Sequence, residues 1–121
     1  MNNNRPLSPH ISIHRKVFTA LFSIFHRFTG IGLTLGSILI AAWIGILSLG
    51  PNYFFIYEHI SSNLLFKIIL FIWTLAIFYH LFNGIRYLYW SFGLGMDLKH
   101  VYISGYIVLF LTLIFTIMIW L

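Results

Sequence analysis

Three long apolar runs without a single Asp, Glu, Lys or Arg divide the chain. The first spans Phe28 to Tyr57, and Gly50-Pro51-Asn52 inside it is a helix-ending signal. The second spans Ile68 to Ile85, with the apolar pattern reaching back to Leu64 and on to Trp90, and the third spans Val101 to Leu121. A helix needs about 20 residues to cross a bilayer at 1.5 Å per residue. These runs are apolar on every side rather than along one stripe, as in helices embedded in lipid. The pattern therefore predicts helices over residues 18–49, 64–90 and 101–121, preceded by a polar segment over 1–17, in one all-α transmembrane domain. The alternation that a membrane β-barrel requires is absent.

Composition narrows the solvent and the function classes. Only 7% of the 121 residues are charged and 60% are hydrophobic, against about 25% charged in soluble domains. Lipid must surround most of the chain. With no cysteine, it can form neither disulfides nor thiolate sites, so it cannot itself hold an iron–sulfur cluster. A net charge of +5 does not point to nucleic acid, because the basic residues stand at the ends of the apolar runs. Arg5, Arg15, Lys16 and Arg27 precede the first run, Arg86 and Lys99 separate the second from the third, and only Lys67 lies on the other side, near Glu58. That asymmetry predicts the N-terminus and the second connection on the cytoplasmic or matrix side. The polar opening MNNNRPLSPH carries no signal-peptide pattern.

Polar residues inside a span are costly and tend to have a partner or a function. His80 is the only histidine well inside a span, about 9 Å deeper than Arg86 on a helix. Its imidazole must either bond across to a neighbouring helix or ligate a metal, haem iron being the usual choice for a buried axial His. Gly84, one turn on, permits close approach of a flat macrocycle or of a helix. His26 and His100 stand at span ends, and His10, His14 and His59 outside, so a second axial ligand would come from another chain. A second constellation is Ser23, His26, Arg27 and Gly30. Ser23 and Arg27 share a face at i, i+4, with His26 at i+3 of Ser23. This is either a topology anchor, its Arg snorkelling to phosphate, or a pocket for a polar head with an apolar tail, such as a quinone. Because the first two helices run antiparallel, both clusters fall at one membrane level. Gly32 and Gly36 have the spacing of tight helix packing, and Asp97 and Lys99 read as solvated loop charges.

The same segments carry a resemblance over nearly the whole chain. Arg5-Pro6-Leu7-Ser8-Pro9-His10, Ser23-Ile24-Phe25-His26-Arg27-Phe28-Thr29-Gly30 and His80-Leu81-Phe82-Asn83-Gly84-Ile85-Arg86 resemble, in order and spacing, the cytochrome b subunit of succinate dehydrogenase (complex II), the larger membrane anchor. The resemblance implies that His80 is the axial ligand of haem b, with the opposite ligand from the smaller second anchor subunit. It further implies that Ser23 and Arg27 belong to the ubiquinone site and that His26 and Arg27 lie where haem propionates are expected. It also implies iron–sulfur and flavoprotein partner subunits, with no nucleic-acid partner, and a multi-pass location in the mitochondrial inner or bacterial cytoplasmic membrane. The pattern departs at Tyr87 and Ser91, where the family commonly has His and Asp. The expected function is the membrane-anchor cytochrome b subunit of succinate:ubiquinone oxidoreductase, serving electron transport and the tricarboxylic acid cycle and not catalytic alone. The alternative is a haem-free structural anchor or assembly subunit. No span carries a carboxylate or a mid-membrane break, so a transporter has no support.

Overall fold

A computed structural model of the chain describes residues 18–121; the expected polar segment over 1–17, with Arg5, His10, His14, Arg15 and Lys16, lies outside the described residues. Within them the elements are α1 (Phe18–Ser48), a 3-10 turn (Pro51–Tyr53), α2 (Phe54–Ser62), α3 (Leu64–Ser91) and α4 (Leu98–Trp120). Helices α1, α3 and α4 are each long and apolar enough to cross a membrane. At 31 residues, α1 is about 46 Å long, more than the hydrocarbon thickness of about 30 Å, so it extends past the apolar layer.

The chain breaks where its residue types require it. Gly50 adopts φ 97°, a left-handed conformation that costs glycine little, and Pro51 then starts the 3-10 turn without needing an N–H. The short helix α2 is a feature that the apolar pattern did not anticipate. Its nine residues include Glu58 and His59, and it is pinned to α1 by a stack of Trp43 on Tyr57, with ring centroids 4.8 Å apart. Asn63 caps α3 by accepting from Leu65 N at 2.8 Å, satisfying a main-chain donor that lacks a partner within the helix. Helix α4 begins at Leu98, so Lys99 and His100 belong to its first turn. Asp97 precedes it and bonds His100 Nδ1 at 2.6 Å.

Helix α3 is the central element, packed against α1 on one side and α4 on the other. Leu35, Ile38, Leu88 and Met118 are exposed, whereas Asn83 (0% exposed), Thr116 (1%) and Arg86 (4%) are buried beside Phe22, Tyr79, Val101 and Val108. In lipid this inversion is favourable, because apolar side chains cost nothing outside and polar ones find partners only inside. Thr112 and Thr116 bond the carbonyls one turn back, of Val108 and Thr112, each at 2.7 Å. Two glycines set the helix approach. A Cβ on Gly36 would overlap the Trp73 indole of α3, and one on Gly105 would overlap Phe18 of α1, whereas Gly32 faces open space. Of the Gly32/Gly36 pair, then, only Gly36 is a packing glycine.

Candidate functional site

The α1–α3 interface is polar at one end, and there α3 hydrogen-bonds two main-chain carbonyls of α1 that lie one turn apart. Phe22 O accepts from the Tyr79 hydroxyl at 3.0 Å and from Asn83 Nδ2 at 3.4 Å. One turn further, His26 O lies 3.1 Å from His80 Nδ1 and accepts from the Thr29 hydroxyl at 2.9 Å. Both carbonyls already serve their own helix, and carbonyl oxygens have a second lone pair for this use.

These contacts fix the tautomer of His80. Thr29 donates its single hydroxyl proton to His26 O, so its oxygen faces His80 Nδ1, at 3.1 Å, as an acceptor. His26 O can only accept. With two acceptors before it, Nδ1 carries the proton, and Nε2 keeps its lone pair. No hydrogen bond to Nε2 forms within the described residues. An imidazole anchored through Nδ1–H to a main-chain carbonyl is the arrangement in which metal-bound histidines are held. Gly30 makes room for it: a Cβ there would lie 3.1 Å from His80 Cε1.

His26 is half-buried, and its ring stacks on His80 with centroids 3.9 Å apart and planes 10° apart. Rings lying face to face do not oppose one another across a single metal, so His26 and His80 do not form an axial pair. His26 Nδ1 is buried and has no hydrogen-bond partner. Ser23 is half-buried and Arg27 exposed, on the flank of α1 beyond the face that meets α3. Neither side chain bonds within the described residues. The chain thus brings His26 and His80 together and leaves Ser23 half-buried and Arg27 exposed at the same level.

Arg86, expected at the end of the helix over 64–90 as a basic residue flanking the apolar run, is an interior residue. It lies within α3 and is 4% exposed, because α4 supplies acceptors for it. Its Nε donates to Ser104 Oγ at 2.9 Å, Nη2 to Val101 O at 2.8 Å, and Nη1 to Asn83 Oδ1 at 3.3 Å. The guanidinium carbon also lies 4.1 Å from the Trp90 ring centroid and 5.0 Å from that of Phe22, where aromatic faces attract a cation. Spacing singled out His80 but not Tyr79, Asn83 or Thr29. Asn83, an amide three residues on in an otherwise apolar span, carries the same signal as His80. Thr29 was hidden because its role depends on α3. Among the described residues no group of three His, Cys, Asp or Glu side chains could hold a metal ion; a haem needs fewer protein ligands, and His80 fits one of them.

A family model described as the succinate dehydrogenase/fumarate reductase transmembrane subunit matches residues 1–119. The succinate dehydrogenase cytochrome b556 subunit of Rickettsia bellii is 36% identical over 118 residues, spanning 98% of this chain and 92% of the relative. The cytochrome b560 subunit of Reclinomonas americana is 38% identical over 125 residues, spanning 99% and 87%. That of Marchantia polymorpha is 45% identical over 116 residues, spanning 91% and 84%.

Proposed function

The chain belongs to the succinate dehydrogenase/fumarate reductase transmembrane-subunit family, and on that premise we propose that it holds haem b through His80 and helps form a ubiquinone-reduction site beside it. The observation that carries this reading is the pinned imidazole, with Nδ1 committed to Thr29 and His26 O and Nε2 left with its lone pair. The relatives named above are cytochrome b subunits, which agrees with it.

The haem, when bound, takes up and passes on single electrons. What this chain does is hold and orient. Thr29 and the His26 carbonyl fix the His80 ring in one tautomer and one plane. A further protein ligand would come from the smaller anchor subunit, because the His26 ring stacks on that of His80 and does not face it across a single metal. Arg27, with His26 next to it, would hold the haem carboxylates by positive charge and hydrogen bonds. Ser23 donates to a quinone oxygen, and the Arg27 guanidinium stabilises negative charge developing there. Electrons arrive from the flavoprotein and iron–sulfur subunits, because this chain has no cysteine to hold a cluster. The remaining quinone contacts come from the iron–sulfur subunit and the second anchor. The basic residues at the ends of the spans support an orientation with the N-terminus and this site on the cytoplasmic or matrix side of an inner membrane.

The experiment is a reduced-minus-oxidised spectrum of the purified complex, with quinone reduction assayed in Arg27→Ala. A b-type band in the wild type, with quinone reduction lost in Arg27→Ala and succinate oxidation by an artificial acceptor retained, supports the proposal. A wild-type complex with no b-type band instead favours a haem-free anchor, in which His80 only bridges α1 and α3.

A further inference from the structure

Arg86 is 4% exposed and lies on α3 about 9 Å along the axis from His80. All of its hydrogen bonds go to neutral groups: the Ser104 hydroxyl, the Asn83 side-chain oxygen and the Val101 carbonyl. The faces of Phe22 and Trp90 beside it attract a cation without neutralising it. The whole chain has two acidic residues. Glu58 is in α2, beyond the opposite end of α3, and Asp97 is exposed and paired with His100. A full positive charge is thus buried in α3 without an ion pair among the described residues.

Burying a charge costs far more than burying an amide. Three neutral acceptors ask only for N–H donors, which an uncharged side chain also carries. The extra cost points to a use for the charge itself, as it does for ionisable groups inside spans generally. Enclosed as it is, the guanidinium acts through its field rather than by contact. Asn83, three residues from both His80 and Arg86, is fully buried and bonds Arg86 Nη1 on one side and Phe22 O on the other. Tyr79, next to His80, bonds the same carbonyl. A field through such an interior is weakly screened. Arg27 and Lys99 are exposed, where salt screens them.

We infer that the uncompensated charge of Arg86 raises the reduction potential of the haem assigned above to His80, a reading on which this rests. A fixed cation favours whichever form of its neighbour carries one electron more. A unit charge about 10 Å away, acting through an effective dielectric of about 20, shifts such an equilibrium by about tenfold. Helix α4 makes this possible by holding the guanidinium with a hydroxyl and a carbonyl, where a carboxylate would cancel the charge.

Redox titration of the b-type band in the purified complex reads the effect. Arg86→Gln keeps N–H donors and removes the charge. Ser104→Asp keeps Arg86 and sets an anion against its Nε, ionised because the adjacent guanidinium favours that form. In each, the ferrous-to-ferric ratio at a fixed applied potential is expected to fall about tenfold, a drop of about 59 mV for one electron. Arg86→Lys keeps the charge, and Ser104→Asn makes that position a neutral amide; the complex that assembles with either stays near the wild-type potential. If Arg86→Gln does not assemble, Ser104→Asp decides, since it leaves the Arg86 side chain in place. A wild-type potential in the neutralised variants overturns the role of the charge. So does a fall in Arg86→Lys as large as that in Arg86→Gln, which would trace the shift to lost packing. Both results leave the haem reading standing, whereas a wild-type complex without a b-type band overturns the two together.

Discussion

His80 Nδ1 lies 3.1 Å from the main-chain oxygen of His26, so the imidazole in the middle of the site is held by helix backbone, which cannot rotate away as a side chain can. Thr29 supplies the second acceptor at 3.1 Å. Sharing its N–H with two acceptors makes an imidazole a stronger donor through its other nitrogen.

Thr29→Val removes one acceptor and leaves the carbonyl. The b-type absorbance should persist while the midpoint potential rises, because a less basic imidazole stabilises ferric iron less. For a hydrogen bond of about 0.5–1.5 kcal/mol the rise is on the order of 20–60 mV for one electron. Redox titration of the purified complex measures it, and an unchanged potential would mean that Thr29 does not act on the ring.

Gly36 and Gly45 separate packing from propensity. Gly36→Ala drives a methyl group into the Trp73 indole, whereas a Cβ on Gly45 meets nothing within 4 Å. Overpacking typically costs about 1–3 kcal/mol, so Gly36→Ala should lower the melting temperature of the detergent-solubilised complex. Gly45→Ala should leave it unchanged or raise it slightly through better helix propensity. Equal behaviour of the two variants would remove Gly36 from the α1–α3 contact.

Arg86→Leu strands Asn83 Oδ1, takes the guanidinium bond from the Val101 carbonyl, which keeps the Ser104 hydroxyl, and discards two aromatic contacts. A buried acceptor left unpaired, here Asn83 Oδ1, costs about 1–3 kcal/mol. Native gels should show markedly less assembled complex than for Lys99→Ala, a change at an exposed position. Arg86→Lys should recover only part of the loss, since an ammonium lacks the planar fork that reaches three acceptors at once. Assembly of Arg86→Leu at wild-type levels would show that the clasp is dispensable.

The Asp97–His100 pair predicts a pH dependence at the start of α4. The hydrogen bond from His100 holds the Asp97 carboxyl below the usual carboxylate range. A depressed folded-state value means that the pair's contribution is fully present above the ordinary carboxylate pKa and is lost as pH falls through the lowered one. The site is fully exposed, so the effect is small. Amide exchange in the first turn of α4 should quicken on acidification of the wild type over that window and be independent of pH there in Asp97→Asn, after correction for intrinsic rates. Identical pH profiles in the two proteins would dismiss the pair.

The three spans were legible because lipid tolerates no unpaired polar group, which leaves long charge-free runs in the sequence. Helix α2 was not, since Glu58 and His59 give its nine residues the look of a loop, and its packing on α1, by the Trp43–Tyr57 stack, and on α3 holds it in place. His80 stood out because a lone imidazole in an apolar run is conspicuous. Its partners did not, because helical spacing grouped His26 with Ser23 and Arg27, while it is α3 that selects His26 and Thr29. Arg86 shows the same limit. As a sequence position it is a basic residue at the end of an apolar run, and only Ser104 and the Val101 carbonyl of α4 make it an interior residue.

The most direct measurement is the reduced-minus-oxidised spectrum of two variant complexes, His80→Leu and His26→Leu, whose rings stack at 3.9 Å in the native chain. If His80 is the ligand, the b-type band disappears in His80→Leu, with partner chains still co-purifying, and survives in His26→Leu with altered potential. A band that persists in His80→Leu and vanishes in His26→Leu would contradict the assignment.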